Sequence, residues 1–325
     1  MNLDGKKIFV AGATGSVGSA VIRHILDTFP SAVVRASCRK TEPFIKDDRV
    51  EYTPADLRVL DDCRRAASGC DCAVMAASHS GGSKVMSSTP QDFVEDNTVM
   101  NTMLFEAFFR EGVKRAVYIG TATVYQESEG YISEEQLDMN TDPHPSHFGV
   151  AWVSRFIEKL GLFWHRRSGI EVINIRAANI FGPYSSFNPE SSYFIPAIIR
   201  KAASKMDPFE VWGSPDVTRD VIYSADFAGA VTELLKKDDI KFDVFNVGSG
   251  VKTTVGDVVN FALKHTGHKP SKIHYDTGKP SVTKFRALDI SKISRMTSWR
   301  PAFSVEEGIK NTAAWWADNK DSWTK

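Results

Sequence analysis

Three glycines, spaced as in Gly12-Ala13-Thr14-Gly15-Ser16-Val17-Gly18, follow the run Lys7-Ile8-Phe9-Val10 and lead straight into a helical pattern. A strand, a glycine turn and a helix N-terminus in that order can cradle phosphate. Glycine lets backbone approach a pyrophosphate closely, and the opening N–H groups of the helix carry fixed partial positive charge. Gly12, Thr14, Gly15, Ser16, Val17 and Gly18 are therefore expected to hold a dinucleotide. About 20 residues on, at the end of the second strand, a site selective for NAD carries a carboxylate for the ribose hydroxyls. Here that position holds Cys38, followed by Arg39 and Lys40. Two cations and no acid suit a 2′-phosphate, so NADP is expected ahead of NAD; the alternative is that Arg39 and Lys40 are solvated loop charges.

Such a cradle must be positioned by parallel strands joined by helices, and the first half of the chain has that rhythm. Ala32-Val33-Val34-Arg35-Ala36, Cys72-Ala73-Val74-Met75-Ala76-Ala77, Ala116-Val117-Tyr118-Ile119-Gly120 and Glu171-Val172-Ile173-Asn174-Ile175 read as buried strands. Helical spacing runs from Ser16 to Thr28 through Val17, Val21, Ile22, Ile25 and Leu26, and again near 57–68, 92–111 and 150–167. The expected fold class is α/β, a Rossmann-type doubly wound parallel sheet with a smaller mixed α/β substrate domain. After Arg176, Pro183, Pro189, Pro196, Pro208 and Pro215 divide the chain into loops around one helix, Pro196 to Ser204. Asp243 to Val247 and the polar stretch 271–286 read as late elements of the smaller, mixed region. Residues 1–178, with 218–247 returning to them, are expected to form the dinucleotide domain, and 179–217 with 248–325 the substrate domain. Ser80-Gly81-Gly82-Ser83-Lys84 is the most flexible-looking segment, and it follows a strand end where ligand-covering loops are common.

Forty basic residues balance forty acidic ones in the 325-residue chain, so the formal net charge is zero. Broad attraction to nucleic acid or an anionic membrane needs a cationic excess on one face and is not expected. Any anionic ligand must be held by local groups. No run approaches the ~20 apolar residues of a membrane span, and Met1 to Lys7 lacks the apolar core of a signal peptide, so a cytoplasmic location is expected. Cys38, Cys63, Cys70 and Cys72 complete no metal quartet; reduced structural thiols and no metal are expected.

The ordered motifs resemble the extended short-chain dehydrogenase/reductase family of nucleotide-sugar epimerases, dehydratases and reductases. The resemblance runs nearly the whole chain. It is carried by the glycine turn, Asp56-Leu57-Arg58, Ala76-Ala77-Ser78, Asn97, Gly120-Thr121-Ala122-Thr123-Val124-Tyr125, Arg176-Ala177-Ala178-Asn179-Ile180-Phe181-Gly182-Pro183, Arg219-Asp220-Val221-Ile222-Tyr223, Asn246-Val247-Gly248-Ser249-Gly250 and Trp299-Arg300-Pro301. Within that family, Ser191 to Lys201 followed by Val211-Trp212-Gly213-Ser214 is most similar to the GDP-fucose synthases. The resemblance implies that Asp56 and Leu57 meet the adenine, that Ala76, Ala77, Ser78 and Asn97 line the cofactor, and that Lys201 and Arg219 lie near the nucleotide diphosphate. It implies a GDP-linked sugar, NADP(H), and a homodimer built on the helices near 92–111 and 150–167. Met100, Met103, Leu104, Phe105, Phe108 and Phe109 exceed what one buried helix face requires; a wide core face within the monomer is the alternative.

The family's chemistry uses a tyrosine and, four residues later, a lysine whose charge lowers the phenol's pKa. This chain has neither at the expected place. Aligned on the upstream prolines and glycine, Phe148 and Trp152 take the two positions; aligned without gaps from Glu158 and Asn179, Val150 and Ser154 do. The acid and base positions of the GDP-fucose synthases match Tyr193 and Thr123. Thr121 can still polarise a carbonyl oxygen, and His147, beside His144, has a side chain suited to proton transfer near neutrality; an exposed loop histidine is the alternative. Catalytic roles are therefore expected for Thr121, Thr123, Tyr193 and His147. Substrate contacts are expected for Ser80, Tyr125, Asn179, Lys201, Trp212 and Arg219. Two functions remain open: a nucleotide-sugar epimerase or reductase working without the tyrosine–lysine pair, or a binding or regulatory protein on the same fold.

Overall fold

In the computed structural model, residues 1–82, 88–128, 130–278 and 287–323 are described. Ser83 and Lys84 of the glycine-rich loop and 279–286 of the late polar stretch lie outside them. Strands β1 (Lys7–Ala11), β2 (Val33–Cys38), β3 (Val50–Pro54), β4 (Cys72–Met75), β5 (Arg115–Thr121), β7 (Glu171–Ala177) and β12 (Phe242–Val247) form one sheet, in the order β12-β7-β5-β4-β1-β2-β3. Every pairing in it is parallel. All four residues of β4 are buried, as are four of the five in β1. Such continuous apolar strands have no solvent face, so helices must cover both sides.

Helices α1 (Ser16–Thr28) and α6 (Ser224–Lys236) cover one side, where Val21, Ile22 and Ile25 meet Phe227, Val231 and Leu235. Helices α2 (Leu60–Ala67), α3 (Pro90–Glu111) and α4 (Phe148–Ser168) cover the other, through Cys63, Leu104, Phe105, Phe108, Val153 and Ile157. Strand β3 was not read from the sequence: its pattern is half-buried at the sheet edge and lacks a continuous apolar run.

A second core gathers α5 (Phe194–Ala203), β9 (Phe209–Trp212), α7 (Val255–Thr266), β14 (Ile273–Asp276) and α9 (Val305–Asn319). Short two-stranded sheets stitch it to the first. The strand β8 (Asn179–Phe181) pairs with β11 (Val221–Tyr223), β10 (Thr218–Arg219) with β13 (Thr253–Thr254), β9 with β14, and β6 (Tyr131–Ile132) with β15 (Ala287–Leu288). Strands β10 and β11 find their partners among the small sheets, and α6, from Ser224, packs on the large sheet after them. Helix α8 (Ser291–Met296) precedes Trp299, whose indole donates to the Asp226 carbonyl. All four cysteines are free thiols, and burial pushes Cys63 and Cys72 up to about 12. Among the described residues, no helix is long and apolar enough to cross a membrane and no cluster of His, Cys, Asp or Glu is placed to hold a metal ion.

Candidate functional site

All strands of the large sheet run the same way, so their carboxyl ends share one edge. At that edge β1 delivers the chain into Gly12, at φ +74°. A Cβ there would lie 2.6 Å from the Ala77 Cα and 2.9 Å from the Ala76 carbonyl carbon. The glycine turn and the small residues leaving β4 are thus one packing solution, and any side chain at 12 forces them apart. A Cβ on Gly18 would collide with the Gly12 carbonyl. Gly15 is the N-cap of α1 and no side chain caps the helix. The opening amides of α1 are therefore the donors a diphosphate needs, and the cradle fits such a group. Thr14 is half-buried in the turn, and Val17 packs onto the core. The Ser16 hydroxyl reaches the Pro183 carbonyl at 3.4 Å and the Ser185 hydroxyl at 3.3 Å, tying α1 to the second core.

Arg39 and Lys40 are exposed just past β2. Asp56 lies close enough for the Arg39 charge to act on it, but its main partner is Arg58, at 3.0 Å (Nε–Oδ1) and 2.7 Å (NH2–Oδ2). Those hydrogen bonds hold the Asp56 carboxyl down to about 2. Leu57 is buried beneath it. The Arg58 guanidinium also reaches Asp96 at 3.1 Å, and Asp96 pairs with the His79 Nδ1 at 2.9 Å. Asn97 accepts from the His79 N–H at 2.8 Å and donates to the His79 carbonyl at 3.0 Å. Asn97 therefore staples the loop leaving β4, where Ser78 and Ser80 are exposed. This chain of charges was not foreseen; its signal was an acid, Asp96, one residue before the expected asparagine.

Thr121 ends β5 with its Oγ1 3.1 Å from that of Thr123, and it also accepts the Thr123 N–H at 3.2 Å. Helix α4 passes alongside. Glu158 on α4 and Arg176 on β7 form a buried bidentate pair, at 2.9 Å (Nε–Oε1) and 2.8 Å (NH2–Oε2). Ser154 and Val150 lie one and two turns before Glu158 on the same helix face. Ser154 is buried and accepts a hydrogen bond from the Tyr118 hydroxyl at 3.4 Å. Phe148 is 51% exposed, and the Trp152 indole donates to Asp142 at 3.0 Å with the Arg155 guanidinium over its ring. His147 is the N-cap of α4, its ring 6.1 Å from that of His144.

Tyr193 precedes α5 and keeps nearly half its surface exposed, while its hydroxyl hydrogen-bonds the Ser80 side chain and the Gly81 N–H. Burial of the hydroxyl end pushes this phenol above the ordinary tyrosine value. The neighbouring Gly82 N–H donates to the Ser191 carbonyl at 3.0 Å. Three hydrogen bonds thus join the β4 exit loop to the start of the second core. Tyr125 is elsewhere. It is fully buried, donating to Asn246 at 2.6 Å and accepting from Arg176 at 3.0 Å. The buried Arg176 and Asn246 take the phenol, so Tyr125 packs in the core at this point of the fold. The Asn179 amide donates to the Asp220 carbonyl at 3.2 Å, and the Lys201 ammonium to the Glu210 carbonyl at 2.9 Å. Trp212 is 55% exposed on β9. Arg219 is half-buried on β10, and burial lowers its pKa.

A family model for the NAD dependent epimerase/dehydratase family matches residues 8–248. The GDP-L-fucose synthase of Sinorhizobium fredii (strain NBRC 101917 / NGR234) is 29% identical over 94% of this chain and 94% of its own length. That of Escherichia coli (strain K12) is 25% identical over 97% and 98%. Among solved structures, a Thermotoga maritima UDP-glucose 4-epimerase with UDP-glucose superposes at TM-score 0.85 with 19% identity, covering 97% of this chain and 99% of that one. A Naegleria fowleri GDP-L-fucose synthetase bound to NADP superposes at 0.83 with 21% identity, covering 100% and 98%. The glycine cradle lies inside the matched span and is built as that fold requires: the chain belongs to the NAD-dependent epimerase/dehydratase family.

Proposed function

We propose that this chain is an NADP(H)-binding, nucleotide-sugar-modifying enzyme of the 4-keto sugar reductase or epimerase class, favouring a GDP-linked sugar and working without the family's tyrosine–lysine pair. The observation that carries this reading is the meeting, at one sheet edge, of an intact phosphate cradle, a threonine pair at the end of β5 and Tyr193 from the second core. The positions of the usual pair are taken by Phe148 and Trp152 in one alignment and by Val150 and Ser154 in the other, and the inward-facing, buried Ser154 supports the second. Sequence similarity to GDP-L-fucose synthases over almost the full chain supports the substrate class.

The opening amides of α1 bind the cofactor's diphosphate. Arg39 and Lys40 take the 2′-phosphate, while Asp56 and Leu57 meet the adenine. When bound, the cofactor carries hydride to or from the sugar. Thr121, supported by Thr123, donates a hydrogen bond to the reacting carbonyl oxygen. Tyr193 keeps its proton at neutral pH, since its pKa lies above the ordinary ~10, so it serves as acid and not as base. His147 is the candidate base. Ser80, Asn179, Trp212, Lys201 and Arg219 hold the nucleotide sugar, the two cations on its diphosphate. The likeness to a family of cofactor-dependent enzymes also supports a homodimer through α3 and α4, on which Val99, Phe109, Phe148, Phe156 and Phe163 remain exposed.

A second reading, a binding or regulatory protein, is favoured by Ser154, which takes the lysine position in one alignment and whose hydroxyl is engaged by Tyr118. Loss of reduced-nicotinamide absorbance, followed with GDP-, UDP-, dTDP- and CDP-4-keto sugars, separates the two. Turnover with a GDP-sugar supports the enzyme. Thermal stabilisation without turnover supports binding, since a ligand at 100 times its Kd adds about 2.7 kcal/mol. Neither effect with any sugar overturns both.

A further inference from the structure

The loop that follows β2 begins with Arg39 and Lys40 and runs to β3. Its far half is pinned to the sheet domain: the Tyr52 hydroxyl donates to the Ile45 carbonyl at 2.8 Å, and Arg49 pairs with Asp47 while donating to the Leu26 carbonyl. Its near half is held through an aromatic cluster from the other core. The Phe44 ring lies 4.4 Å from Trp323 and stacks on Tyr184 at 5.8 Å with a 20° interplanar angle. Trp315 of α9 backs both, 5.3 Å from Tyr184 and 4.9 Å from Trp323.

Backbone geometry fixes the cluster's position. Trp323 sits in a turn after α9, its N–H donating to the Asn319 carbonyl, and its indole donates to the Ser185 carbonyl at 3.0 Å. Tyr184 is held at φ +64°, a left-handed conformation a non-glycine residue adopts only when its surroundings impose it. The residues on either side of Tyr184, Pro183 and Ser185, are the ones Ser16 touches at the start of α1. One aromatic cluster therefore reaches both the phosphate cradle and the loop carrying the two cations.

We propose that Trp323 is a positioning residue for cofactor choice: through Phe44 it orders the loop that presents Arg39 and Lys40 to a 2′-phosphate. This rests on the reading of Arg39 and Lys40 given above. Trp323 acts through Phe44 and makes no contact with the cofactor itself. With the loop ordered before binding, less conformational freedom is lost when the phosphate arrives. NADH lacks that phosphate and gains nothing from the loop.

The test compares Trp323→Ala, Trp323→Phe and Phe44→Ala with the parent by two measurements. The first is the Kd for NADPH and for NADH, from nicotinamide fluorescence. The expected result is that Trp323→Ala and Phe44→Ala each weaken NADPH about tenfold, a loss of about 1.4 kcal/mol, with NADH changed less than about twofold and Trp323→Phe close to the parent. The second needs no cofactor: trypsin cleavage after Arg39 and Lys40, read by mass spectrometry, should accelerate in the two alanine variants while melting temperature barely moves. Equal weakening of both cofactors, or unchanged cleavage, overturns the proposal. If the parent prefers NADH yet cleavage accelerates as expected, the 2′-phosphate reading fails and the aromatic tether stands.

Discussion

Glu158 and Arg176 meet end-on in the core, two parallel N–H···O bonds joining helix α4 to strand β7. Arg176 also donates to Tyr125 and to the Glu134 carbonyl, so the guanidinium is satisfied from three sides. This pair sets which residues of α4 face the end of β5. A helix rotated to place Phe148 and Trp152 there would pull Glu158 off Arg176 and leave two buried charges alone.

Replacing the paired residues tests that geometry. Val150→Tyr with Ser154→Lys should raise turnover of a 4-keto sugar by about a hundredfold, the lower range of a positioned acid–base group. Phe148→Tyr with Trp152→Lys should raise it little. Equal gains from both pairs in steady-state kcat would sink the assignment.

Breaking the pair is expected to be costly. Glu158→Gln or Arg176→Met should each lower unfolding stability by about 3–5 kcal/mol in urea, because the surviving partner stays buried and charged. Replacing both together by Leu and Met should cost less than the sum of the single losses, since no lone charge remains.

Buried phenols predict an alkaline limit. Burial pushes Tyr125 up to about 12 and Tyr118 higher still, against ~10 in an unfolded chain. Between about pH 10 and 12 the unfolded chain releases both protons while the folded chain keeps them, so stability falls as pH rises through that window. Full stability from these groups is present below pH 10. Tyr125→Phe should make the decline in urea midpoint across that window shallower, even though it lowers stability at neutral pH; an unchanged slope would rule Tyr125 out.

The outer faces of α3 and α4 make a further prediction. Phe109 and Phe163 both contact Trp164, at 5.3 and 5.4 Å to its ring neighbour, yet are 45% and 54% exposed. Apolar surface of that kind is what the proposed contact between two copies would bury. Phe109→Lys with Phe163→Glu should shift the sedimentation coefficient from dimer to monomer while leaving the melting transition cooperative. A parent that is monomeric at micromolar concentration removes the prediction.

Local pattern is what made the fold readable. Strands buried on both faces carry apolar runs, as Ile8 to Ala11 in β1, all of β4 and Ala116 to Ile119 in β5 do, whereas the half-buried edge strand β3 gave no such signal. The phosphate cradle was equally legible, since its glycines, its strand and its helix are consecutive in the chain. The small sheets were not, for each pairs segments more than 30 residues apart in the chain.

By itself the sequence determined that a dinucleotide cradle is present, because its glycines, strand and helix are close along the chain. Only the tertiary structure decided how α4 is turned, since the helix is apolar on more than one face and Glu158 meets Arg176 across 18 residues. The same holds for Tyr125, drawn into the core by Asn246, and for Trp323, brought to Phe44 from the other end of the chain. Contacts between segments distant in sequence leave no periodic trace, and they appear only once the chain has packed.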